Sequence, residues 1–176
     1  MSRRCVFLDR DGVINEKAAP HEYIRDWSEF RFLPNIADWI RIFNALGFLV
    51  IVITNQRGIA RGMMMSASVE ETHRHMIREL AARGAIVDDV FMCPHEENTC
   101  ECRKPRPGMV LDAQAKWGID LPGSLMIGDS DIDVLTGRNA GLWTCGVTYG
   151  FAPQTLNLAP PDVTVDSPGE LAELFA

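Results

Sequence analysis

The chain has 176 residues, of which 47% are hydrophobic and 23% charged, a balance typical of a soluble globular protein with one domain over 1–176. The formal net charge of -7 argues against nucleic acid or an anionic membrane surface as the main partner, because both select basic proteins. A phosphate-bearing ligand would therefore be held by a few local cations or by a metal ion.

The compartment is suggested by two features. The basic start "MSRR" is followed by an apolar run over 5–8 that is far too short for a secretory signal, and no run approaches the ~20 residues of a membrane span. The five cysteines are odd in number, and three lie in one loop, which disfavours a disulfide framework. We expect a monomer in a reducing cytoplasm.

Short, nearly continuous apolar runs predict strands that are buried on both faces of a parallel sheet. They cover 5–9, 48–54, 89–93, 124–129 and 142–148, with a short last strand after the proline-rich turn 159–163. Helical spacing predicts helices over 34–46, 68–83, 107–117, 131–140 and 168–175. The second helix would begin with Ser68 as its cap and Glu71 three residues later.

This alternation of strand and helix predicts the α/β class, with a doubly wound, Rossmann-like open parallel sheet. Between the first two strands, the loop 15–33 and one helix use most of the chain, which leaves no room for a sizeable cap domain. Sheets of this kind bind ligands at the carboxyl ends of their strands. The functional residues are therefore expected there.

Acidic residues follow two of the predicted strands. Asp9 and Asp11 lie in "DRDG" after the first, and Asp129, Asp131 and Asp133 lie in "GDSDID" after the fourth. Each motif alone has a structural explanation, because Asp-Gly forms turns and acidic side chains stabilise helix N-termini. Both together at one edge of a sheet predict a Mg²⁺ site, since Mg²⁺ prefers oxygen ligands and leaves room for a phosphate oxygen.

Polar and cationic side chains occupy two further positions at this edge. Thr54 and Asn55 follow the second strand and could donate to a bound phosphate, although turn residues are also common at strand ends. Lys104 precedes the third helix. It is either a solvated surface lysine or a point charge for phosphoryl oxygens.

The four motifs "FLDRDGVI", "ITNQ", "RKPRPGM" and "GDSDID", in this order, resemble those of the haloacid dehalogenase superfamily of phosphatases. The resemblance implies that Asp9 is a nucleophile that forms an aspartyl-phosphate, and that Asp11 protonates the leaving alcohol and later activates water. It implies that Thr54 and Lys104 bind the phosphoryl oxygens.

The same resemblance implies a magnesium ion. Its protein ligands would be the carboxylates of Asp9 and Asp129 and the main-chain carbonyl of Asp11. Asp133 could contact these ligands without binding the ion itself. Phosphoryl transfer requires positioning and charge neutralisation, and these residue types provide both. A non-catalytic module that kept the fold is the alternative, and it would be expected to have lost one of these residues.

A second group of metal-ligand residue types follows the third strand. Its members, within the loop 93–102, are Cys93, His95, Cys100 and Cys102. Three thiolates and an imidazole have the count and chemistry of a closed, structural Zn²⁺ site, with a disulfide or redox thiols as alternatives. The zinc would hold the loop that carries Arg103 and Lys104.

This loop, together with "TNQRGIARG" over 54–62, resembles the phosphatases of the superfamily that remove the 7-phosphate of D-glycero-D-manno-heptose 1,7-bisphosphate. The resemblance implies that substrate is bound by Asn55, Gln56, Arg57 and Arg103. Histidinol-phosphate phosphatases and other small sugar-phosphate phosphatases are the alternatives. The interval from His95 to Cys100 is closer to the histidinol type, and Ser130 stands where the heptose enzymes tend to have lysine.

Overall fold

A computed structural model of the protein describes residues 3–19, 22–150, 152–167 and 170. Six parallel strands form one sheet in the order β3-β2-β1-β4-β5-β6. They are β1 (Cys5–Leu8), β2 (Leu49–Asn55), β3 (Asp89–Cys93), β4 (Leu125–Gly128), β5 (Trp143–Val147) and β6 (Val163–Val165). This arrangement confirms the predicted doubly wound α/β sheet.

Within the described ranges, four α-helices connect the strands. They are α1 (Ile36–Ala45), α2 (Ser66–Ala82), α3 (Gly108–Trp117) and α4 (Asp131–Asn139), and short 3-10 turns cover Trp27–Glu29 and Pro153–Asn157. The helix predicted over 168–175 lies outside the described residues except for Glu170. None of the helices in the described ranges is long and apolar enough to cross a membrane.

The predicted Ser68 cap of the second helix is wrong. The helix begins earlier, at Ser66, with Met65 at the cap position and no side-chain hydrogen bond from it. Ser66 Oγ donates instead to Glu70 Oε1 at 3.0 Å, one turn along the helix. This contact joins two side chains on one face of the helix, and no side chain of the described residues caps the backbone N–H groups of the first turn.

The helices cover both faces of the sheet. α1 and α2 pack against the face that carries Val6 and Leu8, and α3 packs against the face that carries Phe7. α4 lies on this second face, where a Cβ at Gly137 would come within 3.0 Å of the Cβ of Met126. Because both faces are covered, the strands are continuously apolar, as the sequence predicted.

The crossover in strand order places a crevice at the carboxyl ends of β1 and β4. From β1 the chain builds outwards to β2 and β3, and it then crosses to β4 and continues outwards to β5 and β6. The connections therefore diverge between β1 and β4, at the point where sheets of this type bind ligands. Between β1 and β2 the described chain contains loop, one 3-10 turn and α1, as expected for a protein without a sizeable cap.

Candidate active site

A buried lysine joins two carboxylates in this crevice. Lys104 Nζ donates to Asp9 Oδ1 at 2.8 Å and to Asp133 Oδ1 at 2.7 Å. All three residues are buried, with Lys104 4% exposed. Asp133 also accepts a hydrogen bond from Ser130 Oγ at 2.8 Å, so α4 holds the far side of the network.

Burial and pairing act in opposite directions on these groups. Burial lowers the pKa of Lys104, but the carboxylates of Asp133 and Asp9 outweigh it and raise that pKa above its usual value. Burial and the neighbouring Asp133 raise the pKa of Asp9 to about 6, against the opposing effect of Lys104. Lys104 is therefore a permanent cation beside the predicted nucleophile.

Three carboxylates of the crevice could hold one cation. Ligand oxygens of Asp9, Asp129 and Asp133 lie within 4.8 Å of one another. They are faced by two ammonium groups, Lys104 and the half-exposed Lys17, whose Nζ lies 3.5 Å from Asp129 Oδ2. An uncompensated buried carboxylate is costly, and a hard, oxygen-preferring cation such as Mg²⁺ would offset it.

The loop after β1 approaches this cluster closely because it contains glycine. Gly12 has a φ of 96°, in the left-handed region, and a Cβ there would lie 2.3 Å from Asp129 Oδ2. Only glycine relieves both the steric clash and the strained backbone. The main chain next to Asp11 is thus brought against Asp129.

The side chain of Asp11 points towards a different set of partners. Its Oδ1 accepts from Arg10 Nη2 at 2.9 Å and from Asn15 Nδ2 at 2.9 Å, and its Oδ2 accepts from Gln56 Nε2 at 3.1 Å. Burial raises the pKa of Asp11, but the charge of Arg10 outweighs it and lowers that pKa below its ordinary value. The side chain of Asp11 therefore lies outside the carboxylate cluster and is not needed as a ligand of the predicted metal ion.

The end of β2 is tied to Asp11 and to Lys104. Gln56 Nε2 donates also to Thr54 Oγ1 at 2.8 Å, so the amide links Thr54 to Asp11. Asn55 holds the main chain of Lys104 at both groups, with Nδ2 donating to its carbonyl at 3.2 Å and Oδ1 accepting from its N–H at 3.1 Å. Since Asn55 and Gln56 are engaged within the protein, their role in binding substrate stays a prediction.

The two arginines predicted to bind substrate are paired with acidic residues of the cysteine loop. Arg57 Nη1 lies 2.6 Å from Glu97 Oε1 and its Nε contacts Glu96, while Arg103 Nη2 lies 3.9 Å from the same Glu97 oxygen. Arg103, Glu97 and Lys104 line a cavity of about 290 Å³. The cavity therefore connects Arg103 with the buried lysine, and Glu97 stands between the two arginines.

The four predicted zinc ligands form one cluster. The Sγ–Sγ distances are 3.2, 3.4 and 3.5 Å, and Cys102 Sγ lies 3.2 Å from the Nδ1 atom of the imidazole. These separations are too long for a disulfide, whose S–S bond is about 2.05 Å. A tetrahedral zinc with Zn–S bonds of about 2.3 Å places sulfurs roughly 3.8 Å apart, which is about 0.3 to 0.6 Å longer than the Sγ–Sγ distances of this cluster. The members are Cys93, His95, Cys100 and Cys102, and the three cysteines form no disulfide.

The cysteine loop is attached to the segment that carries Lys104. Arg106 Nη1 donates to the carbonyl of Cys100 at 2.7 Å, and the N–H of Gly108 donates to the carbonyl of Glu101 at 3.1 Å. A Cβ at Gly108 would lie 2.3 Å from that carbonyl oxygen, so α3 can begin against the loop only with glycine. The loop, which precedes Lys104 in the chain, is therefore also hydrogen-bonded to the segment that follows Lys104.

Four residues of the site were missed from the sequence. Asn15 and Arg10 contact Asp11, Lys17 contacts Asp129, and His73 on α2 contacts Arg10. The buried Arg10 between two aspartates was the one available signal, because an arginine inside a site needs acceptors. Lys17 and His73 are brought in by the fold from distant positions, which no local pattern indicates.

Comparison with known proteins places this site in a family. A family model described as HAD-hydrolase-like matches residues 101–171. The D-glycero-beta-D-manno-heptose-1,7-bisphosphate 7-phosphatase of Rhodopseudomonas palustris is 45% identical over 148 residues, which cover 80% of this chain and 81% of that protein. The chain belongs to the haloacid dehalogenase-like phosphatases. It is an enzyme that hydrolyses phosphomonoesters.

Two further members of this family are similar over most of the chain. The D-glycero-alpha-D-manno-heptose-1,7-bisphosphate 7-phosphatase of Mycobacterium tuberculosis is 39% identical over 137 residues, covering 77% of this chain and 72% of that protein. A crystal structure of the D,D-heptose 1,7-bisphosphate phosphatase from B. bronchiseptica, complexed with magnesium and phosphate, superimposes with a TM-score of 0.88. It shares 32% identity, and the match covers 97% of each chain.

Proposed function

We propose that this phosphatase removes the 7-phosphate of D-glycero-D-manno-heptose 1,7-bisphosphate through an aspartyl-phosphate on Asp9. The observation that carries the chemistry is the convergence of a nucleophile, a second carboxylate and a buried lysine at the carboxyl ends of adjacent strands. The names of the relatives support the substrate. Arg103 lines the same cavity as Lys104, and Arg57 pairs with the same Glu97 as Arg103, so these cations suit a second phosphate.

In the first step, a carboxylate oxygen of Asp9 attacks the phosphorus atom. The bond between phosphorus and the leaving alcohol oxygen breaks, and its electron pair takes the proton of Asp11. Lys104 Nζ donates a hydrogen bond to Asp9 at 2.8 Å, so its charge can neutralise the oxygens of the phosphoryl group that is transferred. Thr54, at the end of the neighbouring strand, presents its hydroxyl to the same group.

In the second step, a water oxygen attacks the phosphorus atom of the aspartyl-phosphate. Asp11, now a carboxylate, accepts the proton from this water, and the bond between phosphorus and the Asp9 oxygen breaks. Inorganic phosphate leaves, Asp9 is again a carboxylate, and Asp11 is again protonated. The lowered pKa of Asp11 favours the carboxylate that accepts the proton in this step, whereas the first step requires the protonated acid.

Magnesium is the cation that best fits the carboxylate cluster. Asp9 and Asp129 would hold it with their carboxylates and Asp11 with its main-chain carbonyl, and Asp133 lies in the same cluster next to Lys104. When bound, Mg²⁺ supplies charge neutralisation at the phosphoryl oxygens. The hard oxygen donors and their unbalanced negative charge support this choice.

We propose that Cys93, His95, Cys100 and Cys102 hold a structural zinc ion. Four protein ligands fill a tetrahedral site, so no position is left for substrate. The ion would fix the loop whose hydrogen bonds reach Arg106 and the start of α3. Cysteines that bind zinc must stay reduced, so we place the enzyme in the cytoplasm. We further propose that it is a monomer.

A substrate panel tests this function. Phosphate release is measured with both anomers of the heptose bisphosphate, with other sugar bisphosphates and monophosphates, and with histidinol phosphate. We expect the highest kcat/KM for a heptose bisphosphate, and phosphorus NMR of the product should show that the 7-phosphate is lost. The relatives are named for both anomers, so the panel also decides the anomer. A higher kcat/KM for histidinol phosphate, or loss of the 1-phosphate, would contradict the proposal.

A further inference from the structure

Arg10 is a fully buried cation between the two aspartates of the first motif. Its side chain is 1% exposed and is among the largest fully buried side chains of the described residues. A guanidinium has only donors and keeps its charge, so it can be buried only where acceptors surround it. The contacts of Arg10 therefore show what its burial accomplishes.

One side of Arg10 fixes an oxygen of Asp11. Both Nη2, at 2.9 Å, and Nε, at 3.3 Å, donate to Asp11 Oδ1, which also accepts from Asn15 at 2.9 Å. Three donors thus saturate this oxygen. The other oxygen, Oδ2, accepts from Gln56 Nε2 at 3.1 Å and is the oxygen left to exchange a proton.

The other side of Arg10 is held by a histidine. Arg10 Nη1 lies 3.1 Å from Nε2 of His73, which is 7% exposed and belongs to α2. Because the guanidinium can only donate, Nε2 must accept, and the ring proton must sit on Nδ1. Burial and the charge of Arg10 lower the pKa of His73 to about 3, so the ring is a neutral acceptor at physiological pH.

We propose that His73 and Arg10 are positioning residues that hold Asp11 with its Oδ2 turned to the leaving group. The inference rests on the proposed function, in which Asp11 transfers the proton. Helix α2 orients His73, and the imidazole of His73 accepts from Nη1 of Arg10. The Nη2 and Nε groups of the same guanidinium hold Oδ1 of Asp11 in place. Without the histidine acceptor, Arg10 would lose one of its buried partners and could rotate away from Asp11.

This role predicts a selective defect. An alkyl phosphate has a poor leaving group that needs a proton from Asp11, whereas p-nitrophenyl phosphate releases a stabilised anion that needs none. A purely structural role for the pair would affect both substrates alike. The ratio of kcat/KM for the two substrates therefore separates positioning from stability, because kcat/KM reports the steps through the first bond cleavage.

The test compares His73→Leu, which removes the acceptor, with His73→Gln, which keeps a side-chain carbonyl. For His73→Leu we expect kcat/KM for a sugar phosphate to fall roughly tenfold to hundredfold, and for p-nitrophenyl phosphate by less than about threefold. His73→Gln should recover most of the loss. Leu80→Ala, in the core on the same helix, is the matched control, and it should lower stability without changing the ratio.

A second variant approaches the pair from Arg10 and leaves His73 intact. Arg10→Lys keeps the charge, but a single ammonium cannot reach Asp11 and His73 together, so the same selective loss is expected. Equal losses for both substrates, or a selective loss in neither Arg10→Lys nor His73→Leu, would overturn the proposal. Asp11→Asn, assayed on the same two substrates, distinguishes a failure of the proton-transfer function from a failure of the positioning role. If it shows no leaving-group dependence, the proton-transfer function itself fails; if it does and the pair does not, only the positioning role fails.

Discussion

Replacing Asp9 by Asn should abolish turnover and, in Mg²⁺-free buffer, make the protein more stable. Both hydrogen bonds to the side chain, from Lys104 Nζ and from the N–H of Arg10, go to Oδ1, which an amide retains. The amide cannot form the aspartyl-phosphate. The variant should therefore fold normally and lack activity.

The gain in stability follows from the raised pKa of Asp9. Burial and Asp133 raise that pKa to about 6 from an ordinary value of 3.8. At 1.36 kcal/mol per unit, ionised Asp9 lowers the free energy of unfolding by about 3 kcal/mol above pH 6. Asn resembles the protonated acid and avoids this cost. The difference between variant and wild type should vanish below about pH 4, grow as pH rises through the interval between the two pKa values, and then level off.

Urea unfolding at about pH 8 and about pH 4 measures this difference. Asp112→Asn, at an exposed position on α3, is the control for a general effect of the exchange. Added Mg²⁺ should reduce the advantage of Asp9→Asn, because a cation bound to the native carboxylates stabilises the wild type. A variant that is less stable than the wild type at about pH 8, or a difference independent of pH, would refute the reasoning.

Further predictions concern the other site residues. Asp11→Asn should keep Mg²⁺ binding but lose on the order of 10²-fold or more in rate with alkyl phosphates, measured at saturating Mg²⁺; a normal rate would contradict its acid and base role. Lys104→Met should lower kcat by roughly 10²- to 10³-fold, and unchanged kcat in a folded variant would exclude Lys104 from charge stabilisation. Mild EDTA should stop activity reversibly while elemental analysis still finds about one zinc per chain. Cys102→Ser should lose zinc, melt at a lower temperature and stay impaired with added Mg²⁺, and a zinc-free wild type with normal melting and full activity would show that the loop needs no metal.

The strands and the carboxylate site could be predicted because their signals are local. Strands such as β1 and β2 are apolar on both faces, since helices cover both sides of the sheet. Asp9 and Asp129 follow strands that prove to be parallel neighbours, so their convergence required only the fold class. The cluster of three cysteines and one histidine could be predicted for the same reason, because its members share one short loop.

The partners of these residues could not be predicted, because tertiary structure brings them together. His73 lies on a helix whose apolar spacing gives no sign that a histidine on its buried side faces Arg10. Glu97 carries no motif, yet it stands between Arg57 and Arg103. Asp133 was expected behind the metal ligands, and the structure places it within the carboxylate cluster and against Lys104. The sequence therefore indicated the residues expected to react or bind metal, but not the side chains that hold those residues in position.

Detection of the covalent intermediate tests the central claim most directly. The Asp11→Asn variant, in which hydrolysis of the aspartyl-phosphate should be slowed, is mixed with Mg²⁺ and p-nitrophenyl phosphate, whose leaving group needs no proton from residue 11, and is then quenched in acid and digested. Peptide mass spectrometry then locates any phosphoryl group. We predict one phosphoryl group on Asp9, and none when Asp9→Asn is combined with this variant. Phosphate release without a phosphoryl group on Asp9, or one on another residue, would contradict the mechanism.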